Sequence, residues 1–137
     1  MAAPTPTTKA EQRGAEYRLS WTATWANTDN MTDLVIVDRS GLTGSPAEIE
    51  IQKIMVNTTA GIDALFEFQM AAADELIYKT LLGNVTPQVV EPPFGKPGIR
   101  VSSIPSAATD GDVMLTTTSA ASGDVISLVL WARLIGI

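Results

Sequence analysis

The groups in this chain that could move a proton or hold an ion are mainly its carboxylates. It has 15 Asp and Glu against nine Lys and Arg, and neither histidine nor cysteine. Without histidine there is no Ser-His-Asp arrangement and no usual general base. Without cysteine there are no disulfides, thiolate nucleophiles or thiolate metal sites. Any catalysis would rest on carboxylates, lysine or tyrosine, so the expectation is that the protein is not an enzyme and carries no cofactor or metal.

The remaining motifs are weak. Asp38, Glu48, Glu50, Asp63, Glu67, Asp74 and Glu75 include alternating pairs, and paired carboxylates are what a glycosidase uses. On the polar face of a strand, such pairs are more often simply solvated. Asp110-Gly-Asp112 with Asp124 could offer oxygen ligands to calcium if the two turns met, although aspartates commonly cap hairpin turns. Gly95-Lys-Pro-Gly98 lacks the glycine spacing and the hydroxyl residue of a phosphate loop. Asn30-Met-Thr32, Asn57-Thr-Thr59 and Asn84-Val-Thr86 match the glycosylation triplet and read as turn chemistry in a Thr-rich chain. Trp21 and Trp25 share one face of a strand and could stack sugar rings. With Tyr17 and Leu19 they make a better core stripe, each burying area worth roughly 1.5–3 kcal/mol.

The elements that would position these residues read as β throughout. Glu16 to Trp25 alternates strictly, with Tyr17, Leu19, Trp21, Ala23 and Trp25 on one face and Arg18, Ser20, Thr22 and Thr24 on the other. Leu34–Val37 is a short buried strand, and Ser40–Pro46 is a loop. Over residues 47–57 the apolar parity switches between Ile49/Ile51 and Ile54/Val56, which a bulge near Gln52 or Lys53 would reconcile. Residues 62–82 fit a helical stripe ending at Gly83-Asn84. They also fit a hairpin turning at Ala71-Ala-Ala-Asp74, and the surrounding β pattern favours the hairpin. A proline-rich loop over 85–98 holds one short edge strand near Val89-Val90, and Gly98–Ser102 reads as another strand. Asp110–Thr118 and Ser122–Leu130, two halves each opening Gly-Asp-Val, read as a final hairpin.

The last fourteen residues, Asp124–Ile137, are apolar on both faces of a strand. Val125, Leu130 and Leu134 cannot all share a side with Ile126, Leu128, Trp131 and Ile135, because alternate side chains point to opposite faces. One face fills a core, and the other needs a second sheet or a neighbouring subunit. Residues 1–14, rich in Ala, Pro, Thr and Gly, read as a flexible arm preceding a single domain over 15–137. Eight or nine short strands predict an all-β, two-sheet antiparallel β-sandwich, with the jelly roll as one arrangement of those strands.

Net charge is −6, and the basic residues are scattered singly, so no stripe exists to neutralise nucleic-acid phosphates. No apolar run reaches membrane-spanning length. The N-terminus lacks the basic start and apolar stretch of a signal peptide, so synthesis and folding are expected in a cytoplasm.

Leu65-Phe-Glu-Phe-Gln-Met70, Asp74-Glu-Leu-Ile-Tyr78, Leu82-Gly-Asn84, Gly111-Asp-Val-Met-Leu-Thr-Thr117, Ser122-Gly-Asp124 and Leu128-Val-Leu-Trp131 together resemble a loose family of small tailed-bacteriophage virion proteins. The resemblance covers roughly residues 60–135. The chain departs from it in having Ala71-Ala-Ala73 at the turn and a proline-rich loop. It implies a capsid decoration or cement protein, made in the host cytoplasm and carried in the virion. Such a protein would bind the major capsid protein of a phage head and form a homo-oligomer, with a trimer favoured. The candidate assembly contacts are Pro4, Pro6, Trp131, Leu134 and Ile135. The alternative is a carbohydrate- or receptor-binding module of a tail fibre, with Trp21 and Trp25 as its platform. Neither nucleic acid nor membrane is an expected partner.

Overall fold

The computed structural model describes residues 2–59, 61–80, 87–92, 98–103 and 105–137. Nine strands follow in chain order: β1 (Thr7–Arg13), β2 (Glu16–Thr24), β3 (Leu34–Val37), β4 (Glu48–Thr58), β5 (Asp63–Phe68), β6 (Glu75–Lys79), β7 (Gln88–Val90), β8 (Val113–Thr118) and β9 (Val125–Ile135). They form two antiparallel sheets, ordered β1-β2-β9-β4-β7 and β3-β8-β5-β6. No α-helix occurs among the described residues, and none there is long and apolar enough to cross a membrane.

Period-two patterning explains how the sheets face each other. In β2, Tyr17, Leu19, Trp21 and Ala23 are buried while Glu16, Arg18, Thr22 and Thr24 are exposed. In β9, Ile126, Leu128, Leu130, Ala132 and Leu134 are buried, and the alternate residues are half-buried or exposed. Ala64, Phe66 and Phe68 of β5 come from the second sheet to meet them in one core. The register between β4 and β9 skips one residue between Ile51 and Lys53. The bulge therefore falls at Gln52, and it lets Ile49, Ile51, Ile54 and Val56 all point inward despite their parity.

The ambiguous 62–82 segment is a hairpin. β5 pairs antiparallel with β6, with a bulge at Ile77 that shifts the register between Phe66 and Glu67. The β-rich context outweighs the local helix preference of Ala71-Ala-Ala73. β7 pairs with β4 at the edge of the five-stranded sheet, as the Val89-Val90 pattern suggested. Residues 98–102 are not a strand but make a single bridge, Ile99 to Ile51. The Gly83-Asn84 stop, the Asn84 triplet and Gly95-Lys-Pro97 lie outside the described residues.

Two further expectations are overturned. First, residues 7–13 are not loose. β1 pairs with β2 over all seven residues through the Gly14-Ala15 turn, where Gly14 has φ +57°. Glycine with positive φ at the first central position is what a type II′ hairpin turn requires. Composition hid this strand because both of its faces are largely exposed, so it shows no apolar alternation. Second, Asp110–Thr118 and Ser122–Leu130 do not form a hairpin. β8 pairs with β3 and β5, whereas β9 pairs with β2 and β4. The chain crosses between sheets through Ser119 (φ +60°) and Gly123 (φ +93°). The inner apolar residues of β8 and β9 therefore face each other across the core.

Candidate interaction face

The outer side of the five-stranded sheet brings polar side chains together in cross-strand rows. Arg13, Glu16, Arg133 and Glu50 form one row through successive pairings of β1, β2, β9 and β4. The next row is Glu11, Arg18, Trp131 and Lys53, and the third is Lys9, Ser20, Val129, Met55 and Val89. Opposite charges on directly paired strands attract, so the first row alternates in sign favourably. A cavity of about 680 Å³ opens along the first two rows.

Trp131 stands between two cations. The Arg18 guanidinium lies 5.6 Å from the ring centroid and the Lys53 ammonium 5.5 Å. Both are cation–π contacts with the electron-rich indole face. Lys53 also reaches Glu91 at 3.4 Å.

Beside this lies a desolvated ion network. Glu50 is only 2% exposed, and its charge is balanced by Arg133 at 3.5 Å and Arg100 at 3.9 Å. Gln52, the bulge residue, donates its side-chain amide to Glu50 Oε1. Arg100 donates to the buried Glu48 carboxylate, and this bond, ahead of the field of Glu50, raises the guanidinium pKa. Gly98 allows the approach. A Cβ there would sit 2.5 Å from Glu50 Cγ and 2.7 Å from the Ile51 carbonyl oxygen. Only glycine lets this segment press close enough to β4 to deliver Arg100.

The other carboxylates have separate roles. Asp38 accepts from Ser40 N and Oγ and caps a short 3-10 turn. Glu75 accepts from Ser102 N and Oγ, which lowers its pKa. Asp63 is buried in β5. Asp33, Glu67 and Asp74 place oxygens within 4.8 Å of one another on the outer side of the four-stranded sheet. Burial, then Asp74, then Asp33 raise the pKa of Glu67.

The calcium arrangement does not form. β8 separates the two turns; Asp110 and Asp124 cap their own turns, whereas Asp112 ties to a distant loop. Asp110 accepts from Ala107 N, Asp112 from Arg39 N, and Asp124 from Ala121 N and Thr59 Oγ1. Burial first raises the Asp112 pKa.

Of the expected assembly contacts, Trp131 and Ile135 are half-buried on the outer face. Pro4 and Pro6 are half-buried in the segment whose Ala2 carbonyl accepts from the Asn27 amide at 3.0 Å. Leu134 is corrected: it is 2% exposed and belongs to the core, because its parity is that of Leu130 and not of Trp131. The sugar platform is corrected as well. Trp21 and Trp25 are each 2% exposed, and the Trp25 indole N–H donates to the Asp29 carbonyl at 2.8 Å.

Sequence reasoning missed Arg39, Arg100 and Arg133. Arg39 donates its guanidinium to the carbonyls of Asp110, Pro46 and Ala107, tying the β3–β4 loop to the turn before β8. The only signal available was that arginine, with five donors, is suited to such bridging.

The fold and this face define a two-sheet antiparallel β-sandwich whose buried Glu48 and Glu50 are held by Arg100 and Arg133 and whose outer strands offer guanidinium, indole and small apolar surfaces. No protein-family model matches the chain, and no curated protein matches it.

Proposed function

We propose that this protein is a non-enzymatic structural component of a tailed-phage virion, a capsid decoration or cement protein that binds and stabilises major capsid subunits as a homo-oligomer. The observation that carries the reading is the strand order. With β1 set aside, β2-β9-β4-β7 faces β3-β8-β5-β6, the order of eight strands wound as a jelly roll. That architecture recurs in viral capsid proteins and lectins. The resemblance of residues 60–135 to phage virion proteins adds the particle, and fold analogy alone would not.

The outer face supports docking rather than chemistry. Trp131, Val129 and Met55 are half-exposed there, and Val89 is exposed. Aromatic and arginine side chains are enriched at protein interfaces. The trimer expected from the sequence would use this face, with Trp131 and Ile135 as contacts and Pro4 and Pro6 at its margin. The tail-fibre reading is not carried forward, since Trp21 and Trp25 are core residues.

The test is co-sedimentation of the purified protein with capsids assembled from the major capsid protein of the same phage. Saturable binding at a fixed ratio per capsomer, with a raised capsid melting temperature, is the expected result. Failure to sediment at micromolar concentrations would overturn the reading.

A further inference from the structure

We infer that β1 is a self-complementary sheet edge that pairs antiparallel with β1 of a second copy of this chain, in a register centred on Ala10. β1 is the outer strand of the five-stranded sheet, and six of its seven residues are exposed. The hairpin geometry says which of its backbone groups are free. Arg13 and Glu16 close a two-residue turn and so form a hydrogen-bonded pair. By alternation Thr7, Lys9 and Glu11 also point their N–H and C=O toward β2. Thr8, Ala10 and Gln12 direct theirs to the open side. The segment before β1 is held back toward Asn27, whose side-chain amide donates to the Ala2 carbonyl, and does not cap this edge.

Charges on an edge strand normally discourage pairing. Here their order discriminates among registers. Lys9, Glu11 and Arg13 share the outer face. With Ala10 opposite Ala10 of the copy, each Lys9 faces the copy's Glu11 and all seven residues are paired. Centring one residue pair later places Glu11 against Glu11 and Lys9 against Arg13. Centring it earlier places Lys9 against Lys9. Both repel, since like charges directly opposite are destabilising. Within one chain Lys9 and Glu11 lie 3.6 Å apart and are well exposed, so both can be shared across the edge. The Ala10-centred register also makes Ala10 a hydrogen-bonded pair with itself, as its outward backbone requires. The result is an isologous two-fold contact that continues one five-stranded sheet into the next.

This contact does not rest on the virion reading. Combined with a three-fold contact whose axis meets this two-fold at a right angle, it would build six chains. Seven paired residues make a small interface, so association belongs at the weak end of the range. Light scattering over a dilution series up to about 1 mM reads it. The expected masses are two chains, or six. Ala10→Pro removes an N–H that faces away from β2, so the folded chain should keep its thermal midpoint while its dissociation constant rises at least about tenfold. Lys9→Glu should weaken association several-fold, and the swap Lys9→Glu with Glu11→Lys should restore it to within about twofold. A monomer throughout the series overturns the proposal, as does an oligomer, trimeric or other, that ignores both Ala10→Pro and Lys9→Glu. Neither outcome bears on capsid co-sedimentation, so the two readings fail separately.

Discussion

The outer faces of the two sheets handle negative charge in opposite ways. On the five-stranded sheet, Glu50 is almost fully removed from solvent, yet Arg100 and Arg133 stand within ion-pair distance. On the four-stranded sheet, Asp33, Glu67 and Asp74 converge within 4.8 Å, and none of them has a basic partner within 4.0 Å among the described residues. Their row also carries the exposed apolar side chains Val35 and Leu76. The difference teaches that the neighbour, more than the depth of burial, decides what a carboxylate does. A deeply buried one with guanidinium partners is a structural tie, whereas a half-buried one among like charges is a source of strain that a proton relieves.

The comparison breaks most severely by removing the cations. Replacing Arg100 and Arg133 together with alanine strands Glu48 and Glu50 under the loop. Removing one side of a buried pair costs about 3–5 kcal/mol. The arginine side chains are 38% and 58% exposed, so water takes over part of their role. A loss of about 2–3 kcal/mol in urea unfolding at pH 7 is therefore expected. A loss below about 0.5 kcal/mol would mean the network is decorative.

A smaller effect follows from Gly98→Ala. The added methyl meets a backbone carbonyl, that of Ile51, as well as the Glu50 and Gln52 side chains. Trimming Gln52 to alanine in the same chain therefore cannot relieve it. A loss of about 1–3 kcal/mol in thermal unfolding is expected, with the 98–101 segment displaced from β4. Full rescue by Gln52→Ala would show that only the amide was in the way.

What could be read beforehand from the sequence was whatever is written in local periodicity. The alternation from Tyr17 to Trp25, the parity switch across Gln52 and the turn residues near Ala71 each carry their own evidence within a few positions. The sandwich followed from them. What could not be read depends on partners distant in the chain. β1 has no apolar stripe because six of its seven residues are exposed, and the half-buried one, Gln12, is a polar tie to the Thr43 backbone. β8 and β9 look like two halves of a hairpin, and only the strands on either side show that they lie in different sheets. Nothing near Glu50 signals that Arg100, fifty positions on, will neutralise it. Leu134 and Trp131 are both large and apolar, yet one step of parity separates a core residue from a surface one.

The mildest test sits at the carboxylate cluster and works through pH. The pKa of Glu67 is raised above its ordinary 4.5, first by burial and then by Asp74 and Asp33. The folded chain thus holds this proton more tightly than the unfolded chain does. The stabilisation is complete below about pH 4.5, the unfolded value, and is lost as pH rises through the folded one. Glu75 slopes the other way: its pKa is lowered by Ser102, so its contribution is present above its unfolded value and lost as pH falls. Glu67→Gln keeps the shape and removes the charge. It should raise the thermal midpoint at pH 7 by a degree or two, equivalent to about 0.5 kcal/mol, and make no difference near pH 4. A variant that is less stable than the parent at pH 7 would mean that the ionised Glu67 is held by an attraction, and the contrast between the two faces would fail.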